Sequence, residues 1–185
     1  MLKRETHNEH LTIEKVVNFS VIISCSENYT KLLKTFLGFY LPIEARLNDF
    51  SSELSRLDLS LNEIVQSEKL DSDLKTLNGE DSPEIIKVCS DLPELENISQ
   101  VMGLLYVLEG SHLGGQFIYK NIHFKDNNID KALLKFHQGH GVKTGERWKN
   151  FLNVINLYPE LDHQQVVASA KETFVKLNKW LVEND

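Results

Sequence analysis

A histidine with regularly spaced polar neighbours lies near the start of the 185-residue chain. Thr6, His10 and Glu14 recur every four residues, so a helix would place them on one face. A neutral imidazole there could coordinate a metal centre, and Glu14 or a water could orient the ring through its other nitrogen. A lone histidine more often makes an ordinary hydrogen bond, and a His7–His10 pair is weak evidence for a dedicated metal site. The segment is a candidate metal-ligating helix.

Four of the nine glycines lie within thirteen residues of a segment whose other residues favour a helix. They are Gly103, Gly110, Gly114 and Gly115. Each glycine lowers the stability of a helix by about 0.5 to 1 kcal/mol relative to alanine. We therefore expect these glycines to have a role that requires the absence of a side chain. One purpose is close packing between helices. The other is close approach of the backbone to a flat ligand, for which Gly110 and Gly114 share a face at i, i+4.

Ser111 and His112, in the same segment, do not suit a hydrolase. Adjacent residues on a helix project about 100° apart, so they cannot readily hydrogen-bond as nucleophile and base. The order of residues from Gly110 to Gly114 also differs from the Gly-x-Ser-x-Gly turn of such enzymes.

The elements that must position these residues are helices. Glycine and proline are scarce, at 9 and 4 residues, and strict alternation of apolar and polar residues does not persist. Apolar spacings of three and four, with capping and proline signals, predict helices over about 2–18, 28–42, 43–57, 63–77, 82–89, 93–121, 130–137, 143–157 and 162–183. Pro42 should kink the second helix or divide it from the third. The sequence therefore predicts an all-α fold.

Length, charge and cysteine content bound the function further. A chain of 185 residues with 41% apolar content predicts one domain over 1–185, and the net charge of −7 argues against binding nucleic acid or an anionic membrane. The longest apolar run, 101–108, is too short to span a membrane, and the N-terminal segment has no apolar signal core. Cys25 and Cys89 fit a reducing compartment. We expect a cytoplasmic protein.

Three separated segments resemble the heme oxygenases, in particular the small bacterial enzymes associated with phytochromes. Residues 2–10 with Glu14 resemble the proximal helix, whose Thr-x-x-x-His pattern places the axial iron ligand. Residues 110–116 resemble the distal helix, whose Gly-x-x-x-Gly-Gly-Gln element lies over the heme face. Residues 136–141 and 145–151 resemble the loop and helix that follow in the phytochrome-associated group. The resemblance covers most of the chain.

The resemblance implies a multihelical heme oxygenase-like bundle of one domain, with heme between a proximal helix and a kinked distal helix. His10 would be the axial ligand of the heme iron. Heme is a flat apolar dianion, so its edge needs cations. Lys3, about two helical turns before His10, would contact a propionate, and Lys149 would be a second contact, with Arg147 and Lys143 as substitutes.

The catalytic roles implied by the resemblance fall on the distal helix. Gly110 and Gly114 would bring the backbone close enough to crowd oxygen against the porphyrin edge. Ser111 stands where many heme oxygenases carry an aspartate, and with ordered waters it would deliver the proton. His112 could face solvent, join the water network or bind iron.

The implied reaction is oxidative cleavage of heme to biliverdin, carbon monoxide and ferrous iron by O2, with heme as both substrate and cofactor. Electrons would come from a separate reductase or a ferredoxin, and a phytochrome could accept the biliverdin. Three alternatives stay open. Ser111 and His112 suggest a non-catalytic heme sensor on the same scaffold. A thiamin-salvage hydrolase of similar helical architecture would use Cys25 or Cys89 as its catalytic cysteine. The third alternative is a helical interaction module.

Overall fold

The computed structural model of the protein describes residues 2–17, 22–78, 86–125 and 129–184. Within these ranges all regular structure is helical, which confirms the predicted all-α class. The α-helices are α1 (Leu2–Glu5), α2 (His7–Val16), α3 (Ser26–Leu47), α4 (Ser51–Arg56), α5 (Leu61–Ile64), α6 (Ser67–Asn78), α7 (Ile98–Asn121), α8 (Thr144–Leu157) and α9 (His163–Glu183). Short 3-10 helices cover Asn48–Phe50, Lys131–Leu133 and Gly141–Lys143. None of the described helices is long and apolar enough to cross a membrane.

The core is built around α7. Every residue from Val101 to Leu108 is buried, as expected of a helix that is apolar on all sides. α9 packs along α7 and also against α2, while α3 packs against α6. The same helix, α9, therefore supports both the N-terminal histidine helix and the glycine-containing helix.

Gly103 lets α7 and α9 approach each other closely. A Cβ atom at this position would lie 2.4 Å from the carbonyl oxygen of Val166 and 2.7 Å from Cβ of Ser169. Ser169 Oγ donates a 2.7 Å hydrogen bond to the carbonyl oxygen of Gln100, which fixes the same contact. Close helix packing thus accounts for this glycine.

The ends of the N-terminal helices differ from those predicted. The first helix is divided at Thr6, which is buried and whose Oγ1 donates to the carbonyl oxygen of Leu2 at 2.9 Å. α3 continues through Pro42 to Leu47, so the proline does not divide this helix.

Two predicted helices in the second half of the chain also need correction. The helix expected from Pro93 begins at Ile98, because the side chain of Asn97 caps it by accepting the Gln100 N–H. Of the helix predicted over 130–137, only the 3-10 turn Lys131–Leu133 forms. The short helix predicted over 82–89 lies partly outside the described residues, and residues 86–89 are not helical.

The C-terminal helices follow the prediction. α8 ends at Leu157, and α9 begins after Asp162, whose carboxylate accepts the N–H groups of Gln164 and Gln165. Aspartate at an N-cap also interacts favourably with the helix dipole.

We expect Gly103→Ala to destabilise the fold by about 1 to 3 kcal/mol, because the new methyl group overlaps α9. Gly114 is the matched control, since a Cβ there meets nothing within 4 Å. Gly114→Ala should be neutral or stabilise the helix by up to about 1 kcal/mol. Urea denaturation at pH 7 measures both variants. Equal free energies of unfolding for the two would show that the close approach at Gly103 is absent.

Candidate functional site

Between residues 110 and 117, α7 has one open side. Gly110, Leu113, Gly114 and Phe117 recur at helical spacing and form what we call the open face. Leu113 is 41% and Phe117 59% exposed, and a Cβ at Gly114 would meet no atom within 4 Å. At Gly110 the three described atoms nearest to an added Cβ all belong to the Trp148 ring, the closest at 3.3 Å. Apolar side chains beside bare backbone make a surface suited to a flat apolar ligand.

The opposite side of α7 packs against residues 134–141, which we call the distal loop. A Cβ at Gly115 would lie 3.3 Å from Cδ2 of His137. Gly139 has φ +61°, a conformation that L side chains rarely adopt, and a Cβ there would lie 3.2 Å from Cβ of His112. Both glycines permit backbone contact, so they serve packing.

Side chains of α6 hold the distal loop in place. The buried carboxylate of Asp73 accepts the N–H groups of Lys135 and Phe136, at 2.6 and 2.9 Å. Lys69 Nζ donates to the carbonyl oxygen of Gly139 at 3.1 Å. These bonds replace helical ones over the same residues, which explains why the helix predicted for 130–137 does not form.

A buried pair joins α3 to the distal loop. The Tyr29 hydroxyl lies 2.8 Å from Nδ1 of His137, and both side chains are buried. Burial lowers the pKa of His137 to about 3 and raises the pKa of Tyr29. Both groups are therefore neutral at pH 7, and the pair is an uncharged hydrogen bond.

Ser111 has one hydrogen bond within its own helix and one to α3. Its Oγ donates to the carbonyl oxygen of Leu108 at 2.6 Å and lies 3.5 Å from the Tyr40 hydroxyl. Because the single hydroxyl proton of Ser111 points to Leu108, Tyr40 is the donor in the second contact. Burial raises the pKa of Tyr40, which keeps this donor protonated. Ser111 is thereby oriented as an acceptor.

Glu109 is a buried carboxylate held by Arg147. Arg147 Nε lies 3.0 Å from Oε2 and Nη2 3.2 Å from Oε1, and the guanidinium also pairs with Glu63. Burial opposes ionisation of Glu109, but His140 and Arg147 outweigh it and lower the pKa of Glu109 to about 2. Arg147 is thus committed to two carboxylates and is not a free cation for a ligand.

His112 lies on the packed side of α7. Its ring is buried and stands 5.0 Å from the ring of His140, centroid to centroid. Burial lowers the pKa of His112 to about 4, so the imidazole is neutral at pH 7. This position removes His112 from both the solvent and the open face.

His10 lies on α2 with its side chain 57% exposed. Its ring meets the ring of Phe174 on α9 edge-on, with centroids 5.8 Å apart, and Nδ1 is 3.6 Å from Oε1 of Glu14. Nε2 of His10 makes no hydrogen bond with any described residue. A histidine that ligates a metal typically has one ring nitrogen near a carboxylate and the other free for the metal, and His10 has this arrangement.

Comparison with known proteins decides the family. The family model for heme oxygenase matches residues 1–184. This chain belongs to the heme oxygenase family. A solved structure of heme oxygenase from Neisseria meningitidis, with NO and CO bound, matches with a TM-score of 0.70 and 24% identity, covering 99% of this chain and 89% of that one. That similarity establishes the fold, and no curated protein matches the sequence.

The cations that a heme oxygenase would need at the heme edge divide into free and engaged groups. Lys3 on α1 and Lys149 on α8 are exposed and make no hydrogen bond or ion pair with the described residues. Arg147, an expected substitute, is bound by Glu63 and Glu109. Lys3 and Lys149 are therefore available to an anionic ligand.

Two residues beside the candidate site lie far from the glycine segment in sequence, and no sequence pattern singled them out. Tyr40 and Phe174 come from α3 and α9, and neither stands out among the apolar positions of its helix. Glu109 had a signal, because a carboxylate that continues a buried apolar run must have a partner.

We expect acidification to destabilise the heme oxygenase fold through His137. Its native pKa of about 3 lies below the ordinary 6.5, so the unfolded chain binds the proton first and stability falls as pH drops below about 6.5. The loss attributable to His137 between pH 7 and pH 5 is about 2 kcal/mol.

Urea denaturation at the two pH values measures this loss. His137→Gln should flatten the pH dependence, whereas His163→Gln at the exposed start of α9 should leave it unchanged. An unchanged slope in His137→Gln would contradict a buried neutral histidine at this position.

Proposed function

We propose that this member of the heme oxygenase family binds heme between His10 and the open face of α7 and cleaves it to biliverdin, carbon monoxide and ferrous iron. The open face carries the proposal. Its backbone is bare at Gly114 and bordered by exposed Leu113 and Phe117, whereas His112 and Gly115 on the other side of the same helix are buried against the distal loop. Bound heme would supply the iron at which O2 reacts and the porphyrin carbon that is oxidised.

His10 would hold the heme from the proximal side. Its Nε2 is unengaged, Glu14 stands near Nδ1, and Phe174 packs against the ring edge. These two neighbours would limit rotation of the imidazole. Both α2 and α7 pack on α9, which supports a fixed spacing between the two faces of the site.

Lys3 and Lys149 would orient the heme by its propionates. Both ammonium groups are exposed and have no partner among the described residues, so pairing with a carboxylate of the ligand breaks no ion pair there. The protein carries a net charge of −7, which repels an anionic ligand from most of its surface. The two lysines would therefore favour binding of the heme propionates at this one place.

Ser111 would position the water that delivers the proton. A hydroxyl is not acidic near neutral pH, so Ser111 does not supply the proton itself. The Tyr40 hydroxyl points at Ser111 Oγ, and Ser111 in turn donates to Leu108. This fixed chain leaves one lone pair of Ser111 for a water on the open side of α7.

Gly110 and Gly114 would keep side chains away from the reacting centre. Because both positions lack a Cβ atom, the helix backbone could approach the heme closely and restrict the space beside the porphyrin. We propose an external ferredoxin or reductase as electron donor and, on the resemblance to the phytochrome-associated group, a phytochrome as one acceptor of biliverdin.

The observations favour catalysis over the alternatives. A sensor that uses His112 as a ligand would need this ring on the open face, but it is buried against the distal loop. A cysteine hydrolase would need an activated thiolate. Burial instead raises the pKa of Cys89, whose thiol donates to the carbonyl oxygen of Asp91 at 3.6 Å.

We expect purified protein to bind about one ferric heme per chain through His10. His10→Ala should remove the axial-histidine absorption spectrum and weaken binding by about tenfold or more, equal to at least about 1.4 kcal/mol. Titration with hemin, followed at the Soret band, measures both. His7→Ala is the control, because His7 lies on the same helix and is exposed. Loss of the spectrum in His7→Ala with retention in His10→Ala would refute the ligand assignment.

We expect Gly114→Leu to lower turnover by about tenfold or more without unfolding the protein, because its Cβ meets no described atom within 4 Å and the larger side chain would occupy the open face. Gly145→Leu in the first turn of α8 is a matched control, since a Cβ there also meets nothing within 4 Å. Biliverdin formation and thermal unfolding are compared in both variants. Unchanged turnover in Gly114→Leu would remove the open face from the site.

We expect Ser111→Ala to slow biliverdin formation only a few-fold and to leave heme affinity unchanged, because the hydroxyl fixes a water and does not donate the proton. Single-turnover assays with ascorbate or a ferredoxin system follow loss of the Soret band and gain of biliverdin absorbance. Complete loss of biliverdin in Ser111→Ala would make the hydroxyl indispensable and contradict this role.

A further inference from the structure

Three ligating side chains converge on the packed side of α7, away from the open face. They are Glu109, His112 and His140, and one ligand atom of each lies within 4.8 Å of those of the others. Glu109 and His112 are three residues apart on α7, so they share a helix face. His140 comes from the distal loop, which Lys69 anchors at Gly139.

One imidazole nitrogen in this cluster is buried without a partner. Nε2 of His140 makes no hydrogen bond with a described residue, and its distance of 3.8 Å to Oε2 of Glu109 is too long for one. The ring of His112 is buried beside it and also makes no hydrogen bond with a described residue. A buried polar atom without a partner is costly, so Nε2 of His140 points to a missing ligand.

The ionisation states suit a cation. Glu109 is a carboxylate and His112 a neutral imidazole at pH 7, which are the forms that bind metals. Arg147 donates one hydrogen bond to each oxygen of Glu109, so each oxygen keeps a further lone pair.

We propose that Glu109, His112 and His140 bind one divalent first-row transition metal ion, separate from the heme iron. Two imidazole nitrogens and one carboxylate oxygen suit Zn²⁺, Fe²⁺, Co²⁺ or Ni²⁺ better than Mg²⁺ or Ca²⁺. A cleft of about 580 Å³ is lined by Glu109 and His140, which gives the ion a path from solvent and leaves room for a water ligand.

Nearby positive charge limits the affinity of this site. Arg147 lies against Glu109 and repels a cation, although Glu63 neutralises part of its charge. Lys69 adds a second positive charge in the same region. The site should therefore bind more weakly than a structural zinc site made of cysteines.

Occupation of the site would tie α7 to the distal loop. His112 and His140 come from these two elements, which also meet at Gly115 and Gly139 and through the 2.6 Å hydrogen bond that Gln116 Nε2 donates to the carbonyl oxygen of Gly141. A metal ion there would stabilise the helix that carries Ser111, without touching the open face.

Calorimetric titration of the heme-free protein with Zn²⁺ tests the proposal. We expect one ion per chain, with affinity at least tenfold lower in His112→Gln and in His140→Gln. The double variant His7→Gln/His10→Gln removes the exposed histidines of α2 and should bind Zn²⁺ like the wild type. Loss of binding in that double variant, or unchanged binding in both His112→Gln and His140→Gln, would overturn the proposal.

A second measurement needs no variant. In ¹⁵N NMR spectra of the wild-type protein, Zn²⁺ should shift the ring nitrogens of His112 and His140 and leave those of His137 unshifted. If the ring nitrogens of both His112 and His140 keep their shifts when Zn²⁺ is saturating, the ion binds elsewhere and the proposal fails. Neither measurement uses heme, so its outcome is independent of the proposed oxygenase reaction.

Discussion

The close packing of α7 constrains the rest of the molecule. At Gly103, α9 lies too close to α7 for any Cβ atom, and at Gly115 the distal loop leaves little room for one. Once these two contacts are made, the remaining side of α7 is fixed in direction, and Gly114 faces empty space. A helix that was free to rotate would present Ser111 and the open face in no defined orientation. The glycines that look alike in sequence therefore serve opposite purposes, some for contact and one for space.

Electrostatics reinforces this arrangement on the packed side. Glu109 is ionised inside the protein, and an unpaired buried carboxylate would be costly, so Arg147 must remain beside it. This pair ties α8 to α7 and extends to Glu63 on α5. Arg147 is therefore engaged by two carboxylates, whereas Lys3, Lys143 and Lys149 are exposed and make no ion pair with the described residues.

The sequence was sufficient for the fold class and the family, because helical periodicity and the order of three motifs depend on local spacing. The helix from 163 to 183 was predicted with its Asp162 cap for the same reason. The helix predicted over 130–137 was wrong, because Asp73, more than fifty residues earlier, takes its backbone donors. Spacing also could not assign Gly103 to packing and Gly114 to open space, since the difference depends on what α9 places nearby. The assignments of six site residues stay predictions: His10, Lys3, Lys149, Gly110, Ser111 and Gly114.

The central claim is that heme lies on the open face of α7 with His10 on its other side. A crystal structure of the heme-loaded protein tests it most directly. We predict iron on Nε2 of His10 and the porphyrin in van der Waals contact with the backbone at Gly114, beside Leu113 and Phe117. Iron coordinated by His112 or His7, or a porphyrin that leaves Gly114 exposed to solvent, would contradict it.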